Sequence, residues 1–266
     1  MRKSILITGS TDGIGKLAAI KLAKDGHELY LHGRNSDKLS TVISEVKEIS
    51  GNAHIKGFIA DFTDFEAVTQ LAQTLKTELP KIDVLINNAG VFNMAMIETK
   101  AGLDISFVVN YFAPYLLTNQ LIPLLKKGSS PRIINVSSAA QLPVVHEVLM
   151  GKEKRESKEA YAQSKLALTM WSFFLAEKHS DLTVIAVNPG SLLDTKMVQE
   201  AFGHHWSPAD KGASILYELA IAEAYKDATG TYFDNDKGAF GEAHPDAYNQ
   251  AEIEKLIKVT DHFFNS

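Results

Sequence analysis

Short runs of β-branched and apolar residues alternate along the whole chain with longer segments whose apolar residues recur at helical spacing. This is the pattern of βαβ units around a parallel sheet, because a parallel strand can be reached only through a long crossover that a helix fills. Strands are expected at 4–8, 28–32, 54–60, 83–87, 132–137, 183–188 and 230–233, and helices at 14–24, 37–49, 65–79, 103–125, 160–178, 209–224 and 247–264. Asn35 or Ser36, and Asp64, have the chemistry of N-caps, and Ser207-Pro208 pairs a cap with a proline suited to the first helical position. With 266 residues, 45% apolar and 22% charged, the chain can bury a large core. It shows no repeat and no low-complexity stretch, so one α/β domain over 1–266 is expected, with irregular segments near 141–158 and 191–207.

Composition excludes several chemistries. There is no cysteine, which removes disulfides, thiolate nucleophiles, iron–sulfur clusters and Cys-ligated zinc. Redox work then needs a borrowed cofactor. A formal net charge of −5 offers no general attraction for nucleic acid or anionic lipid, so neither is expected as a partner. The start of the chain has only a short apolar run before Thr8 and Gly9, too little for an export signal. The most apolar helical stretch, 166–176, falls short of the ~20 residues of a membrane span. A cytoplasmic protein without a membrane span is therefore expected.

Directly after the first strand comes Thr8-Gly9-Ser10-Thr11-Asp12-Gly13-Ile14-Gly15, with a helical pattern starting inside it. A strand, a glycine turn and a helix N-terminus make an anion site, since free N–H groups and the helix dipole point at one place. A plain tight βα turn is the alternative for such a segment taken alone. The spacing is also G-x-x-x-G-x-G, not the G-x-G-x-x-G of the dinucleotide fingerprint.

Four segments together resemble the short-chain dehydrogenase/reductase family. They are the glycine turn, Asp61 after the third strand, Asn87-Asn88-Ala89-Gly90 after the fourth, and Pro189-Gly190 after the sixth. The resemblance runs from Ile5 to about Phe233 and implies a single-domain Rossmann fold, a doubly wound parallel sheet of about seven strands with helices on both faces. It implies nicotinamide dinucleotide binding through Gly9, Ser10, Thr11, Gly13, Ile14 and Gly15 in the turn. Asp61 would meet the adenine, and Phe62, Asn88, Ala89, Gly90, Pro189, Gly190 and Leu192 would complete the site. At the end of the second strand, Gly33 stands where NAD-preferring members carry Asp, and Arg34 where NADP-preferring members carry an arginine for the 2′-phosphate. NADP(H) is the expected cofactor, with NAD(H) the alternative and a solvated loop arginine the plain reading of Arg34. Asp12 occupies the place of a second basic residue found in many NADP-using relatives.

Tyr161 and Lys165 are spaced i, i+4, so a helix puts phenol and ammonium on one face. A nearby cation would favour the phenolate of a side chain whose ordinary pKa is near 10. The pair matches the family's Y-x-x-x-K, which implies that Tyr161 exchanges the proton and that Lys165 also holds the nicotinamide ribose. Ser138 closes the fifth strand and can donate to a carbonyl oxygen as charge develops there; the alternative is that Ser137 and Ser138 merely terminate the strand. By resemblance Ser138 is the catalytic serine and Asn110 completes the site. Pro114 lacks an N–H, so it cannot bond the carbonyl of Asn110, which would leave that carbonyl free for a proton-relaying water.

Ser138 and Tyr161 are 23 residues apart, an insertion like that of the branch containing retinol dehydrogenases. With Phe92, Met94 and Met96, and with Leu192, Leu193, Met197, Phe202 and Trp206, it predicts an apolar pocket for a hydrophobic aldehyde, ketone or alcohol. Loop packing or a subunit contact in a homo-oligomer would use the same side chains. His204-His205 lacks a third metal ligand at suitable spacing, and no G-x-S-x-G elbow supports a hydrolase. The charge run 152–159 reads as a solvated loop edge. The expectation is a carbonyl reductase acting on a small-molecule carbonyl or alcohol, with an NADP(H)-sensing protein that does not turn over as the competing class.

Overall fold

A computed structural model describes residues 1–92, 99 and 102–265. Eight strands form one sheet in the order β3-β2-β1-β4-β5-β6-β7-β8. They are β1 Ser4–Ile7, β2 Glu28–Gly33, β3 Ile55–Ile59, β4 Val84–Asn87, β5 Arg132–Val136, β6 Thr183–Asn188, β7 Thr231–Asp234 and β8 Ala239–Gly241. The first seven run parallel and occupy the expected positions, while β8 pairs antiparallel with β7 and is an addition to them. β1, β4 and β5 are buried at every position, which is why they read as continuous apolar runs and not as alternations.

The helices are α1 Gly13–Lys24, α2 Ser36–Ser50, α3 Phe65–Glu78, α4 Ile105–Phe107, α5 Ala113–Leu125, α6 His146–Leu149, α7 Ser157–Lys178, α8 Lys196–Phe202, α9 Ala209–Ile221 and α10 Gln250–Asn265. One layer packs Leu22, Val46 and Leu216 from α1, α2 and α9 against one face of the sheet. Leu75, Leu121, Trp171 and Leu256 from α3, α5, α7 and α10 build the other layer. Asn35 caps α2 by accepting from the Lys38 N–H, and Asp64 caps α3 through the N–H groups of Glu66 and Ala67. Pro208, not Ser207, is the cap residue of α9, and no side chain bonds there. Ser207 instead forms a parallel bridge with Leu193, which holds the intervening loop closed.

The expected helix over 103–125 is three pieces, because a π turn at Val108–Phe112 separates α4 from α5. Pro114 cannot supply the next α-type donor, and Ala113 donates across five residues to the Val108 carbonyl. The helix expected over 247–264 begins only at Gln250, because Pro245–Tyr248 form a 3₁₀ turn before α10. Strand order reverses between β1 and β4, and open α/β sheets bind ligands beside such a switch, at the strands' C-terminal ends.

Candidate active site

The glycine turn after β1 and the Asn-Asn-Ala-Gly turn after β4 are stitched together across the switch point. Thr8 Oγ1 accepts from the N–H groups of Asn88 and Ala89, each at 3.0 Å, and Asn88 Nδ2 donates to the carbonyls of Thr8 and Gly9, each at 2.9 Å. That closeness dictates glycine: a Cβ on Gly9, whose φ is +64°, would lie 2.6 Å from Ala89 Cα, and one on Gly15 2.4 Å from Asn88 Nδ2. Asp12, which the sequence comparison leaves in place of a base, caps α1 by accepting from the Gly13 N–H at 2.7 Å. A cradle that any side chain would fill, ending on a helix N-terminus, fits a dinucleotide pyrophosphate.

A cleft of about 590 Å³ opens over these turns. Gly9, Thr11, Gly13 and Ile14 line one end, and Arg34, Asp61 and Phe62 extend it over β2 and β3. Asn88, Ala89 and Gly90 form its floor, and Ser138, Tyr161, Lys165, Pro189 and Gly190 bring it to the far side of the switch. Four expected site residues are placed elsewhere. The Ser10 hydroxyl is buried against the His32 backbone, and Gly15 is packed beneath Asn88. Asn110 sits behind the cleft wall. Leu192, at φ +46°, turns its carbonyl to the N–H groups of Trp206 and Ser207, and the neighbouring Leu193 lines the cleft instead.

Sequence reasoning missed Lys38, in the first turn of α2, which lines the cleft beside Arg34. Both side chains are exposed, and neither enters an ion pair among the described residues. A Cβ on Gly33 would come 2.4 Å from Thr11 Cγ2, so the space of an acidic side chain there is taken by the Thr11 methyl.

Tyr161 and Lys165 lie one turn apart on α7, with Lys165 Nζ 5.6 Å from the Tyr161 ring centre. Lys165 is buried and donates to the Val136 carbonyl at 2.7 Å; burial drops its pKa to about 7. Burial pushes the Tyr161 phenol up from its ordinary value, and a hydrogen bond with Ser138 acts in the opposite direction. In this structure burial is the larger of the two influences, so the phenol moves above its ordinary value and not below it as expected from Lys165. Ser138 lies beyond the end of β5, where its carbonyl is fixed by Tyr232 Oη at 3.0 Å and Gln141 Nε2 at 2.9 Å. The Ser137 hydroxyl bonds Thr169 and the Lys165 carbonyl on α7, which separates the two adjacent serines.

Asn110 is held in the π turn. Its Oδ1 accepts from the Val91 N–H at 2.8 Å, and its Nδ2 donates to the Val91 carbonyl and to Ser164 Oγ. It thus ties the segment after Gly90 to the residue beside Lys165. Near Tyr161 the wall is aromatic: Phe92 meets the Tyr161 ring edge-on at 4.6 Å and stacks on Phe202 at 5.4 Å. Met197 and Val198 of α8 continue that wall, whereas Trp206 is exposed and does not line the cleft. Met94 and Met96 lie outside the described residues. In the 141–158 segment, Val144 and Val145 pack on the core, with Val148 and Leu149 buried, so these side chains belong to packing. Among the described residues no group of three or more His, Cys, Asp or Glu side chains is arranged to hold a metal. No helix among them is long and apolar enough to cross a membrane.

Residues 3–205 match the sequence profile of the family described as short chain dehydrogenase. Human retinol dehydrogenase 13 is 30% identical over 88% of this chain and 77% of its own. A Streptomyces protein described as a daunorubicin C-13 ketoreductase is 33% identical over 87% of this chain and 82% of its own. A solved structure described as a short chain dehydrogenase from Escherichia coli CFT073, complexed with NADPH, superposes with a TM-score of 0.72 at 29% identity, covering 88% of this chain and 96% of that one.

Proposed function

The chain belongs to the short-chain dehydrogenase family and is an oxidoreductase of CH–OH and C=O groups, and from that premise we propose that it is an NADP(H)-dependent carbonyl reductase of small hydrophobic substrates. The observation that carries this reading is the convergence of Ser138, Tyr161 and buried Lys165 on the end of a glycine-built cleft, with Lys165 Nζ 5.6 Å from the Tyr161 ring centre. Nicotinamide supplies or accepts a hydride when bound.

The protein's own groups do the remaining work. Ser138 orients the carbonyl oxygen and stabilises charge developing on it. Tyr161 donates its proton to that oxygen, and its raised pKa keeps the proton in place until then. Lys165 in its protonated form steadies the phenolate that results. Asn110 holds Val91 and Ser164 on either side of this pair and so positions it. At the other end, Arg34 and Lys38 offer two exposed cations to a 2′-phosphate, and Gly33 brings no carboxylate to a ribose hydroxyl. Phe92, which stacks on Phe202 behind it, and Met197 favour an apolar substrate.

The test is consumption of NADPH and of NADH against a panel of aliphatic and aromatic aldehydes, ketones and quinones. Turnover at least tenfold faster with NADPH is expected for one class of the panel. Tight NADPH binding with silence across the panel would favour a sensing role over catalysis.

A further inference from the structure

His32 stands on β2, away from the catalytic pair, and nothing in the mechanism above uses it. It is 3% exposed, and each of its polar atoms is committed. Its backbone N–H donates to Ser10 Oγ at 3.0 Å, and its carbonyl accepts from the Ser10 N–H at 3.0 Å. Its ring spans two turns of the cleft: Nδ1 lies 3.2 Å from the Gly9 nitrogen, and Nε2 lies 3.1 Å from the Ala60 carbonyl oxygen. These partners settle the tautomer. Gly9 N–H only donates and the Ala60 carbonyl only accepts, so Nδ1 is bare and Nε2 carries the proton. The ring also stacks on Phe62, with centres 4.3 Å apart and planes 25° apart. Burial brings its pKa down to about 4, which keeps both bonds intact at neutral pH.

One imidazole thus joins the first glycine of the phosphate cradle to the end of β3, where Asp61 and Phe62 wall the cleft. Gly9 is the residue whose left-handed φ aims the rest of the turn at α1. Its N–H bonds a side chain, while those of Thr8 and Ser10 bond carbonyls of neighbouring strands. We propose that His32 is a positioning residue for the adenine half of the cofactor, holding the pyrophosphate turn and the adenine wall at one fixed separation. The inference rests on the reading of this cleft as a nicotinamide dinucleotide site.

The test compares wild type, His32→Ala and His32→Asn by equilibrium titration with NADPH and with 2′,5′-ADP, which carries the adenine half alone, alongside kcat at saturating NADPH. The Asn amide oxygen replaces Nδ1 as acceptor for Gly9 but does not reach Ala60. Loss of both ring bonds in His32→Ala is expected to weaken both ligands by about tenfold or more, with kcat within twofold of wild type. His32→Asn is expected to recover about half of that loss on a logarithmic scale, with slower exchange of the Gly9 amide than in His32→Ala. A plain structural role would lower thermal stability without separating affinity from kcat. If His32→Ala does not fold, His32→Asn against wild type still decides, with about a threefold loss for both ligands expected. Affinities within measurement error of wild type, or a kcat loss as large as the loss of affinity, would overturn the inference alone. Wild-type protein that binds no nicotinamide dinucleotide would overturn the reading of the cleft and this inference with it.

Discussion

The two ends of the cleft are built by different means. At the dinucleotide end, backbone meets backbone: Thr8, Gly9, Asn88 and Ala89 interlock, and a single added Cβ collides with a main chain. At the substrate end, exposed side chains of α8 and the ring of Phe92 form the wall, and α8 buries none of its residues. Steric exclusion fixes the first end, whereas side-chain identity sets the second. Substitutions at the first should abolish binding, and those at the second should retune it.

The sharpest way to break that contrast lies between the two ends, at Lys165. Its folded pKa of about 7 is below the ordinary 10.5, so the unfolded chain binds the extra proton more readily between those values. Stability therefore rises with pH across that window, and below about pH 7 the full cost of the buried cation applies. Lys165→Met is expected to lower kcat by about 100-fold or more and yet raise Tm at pH 7 by several degrees. The gain in Tm should shrink toward pH 10; an unchanged Tm in a calorimetric pH series would refute the assignment of a strained catalytic cation. Next in size, Gly9→Val should weaken NADPH by about 100-fold, since neither its φ nor the space at Ala89 admits a side chain. A titration giving near-normal affinity would show that the cradle yields.

Arg34→Ala should weaken NADPH by about tenfold and leave NADH within twofold, in keeping with loss of one charge-assisted contact. Equal losses for both cofactors would remove Arg34 from the 2′-phosphate site. Smallest of all, Phe202→Ala should raise KM for an aromatic carbonyl by about threefold to tenfold, through loss of an exposed stacking partner, without change in NADPH affinity. A change in cofactor affinity instead would mean that the two ends are coupled.

The same contrast explains what could be read from the sequence. Parallel strands buried on both faces leave long apolar runs, and residues such as Asn35 and Asp64 cap helices through local chemistry, so β1 to β7 and the starts of α2 and α3 are legible from neighbours in the chain. β8 is not, because three residues, Ala239, Phe240 and Gly241, carry no period, and only pairing with β7 makes them a strand. Pro114 announces a break in its helix, but the π turn depends on which carbonyl finds a donor five residues on. In the site, motif glycines are legible because sterics permit nothing else. Lys38 and His32 are not, because a lysine on a helix surface and a lone histidine in a strand look like solvent and core until the fold brings them to the cleft. Leu192 and Leu193 show the same limit: adjacent apolar residues differ only through a backbone turn at positive φ.

The most direct measurement is Tyr161→Phe followed by two readings on the same protein, NADPH affinity by titration and the rate of NADPH oxidation with the best carbonyl of the panel. The account predicts affinity within about threefold of wild type together with a rate lower by about 1,000-fold, because the phenol oxygen transfers the proton while the cradle holds the cofactor. A variant that turns over at the wild-type rate would contradict Tyr161 as the proton donor and with it the proposed reduction at this site.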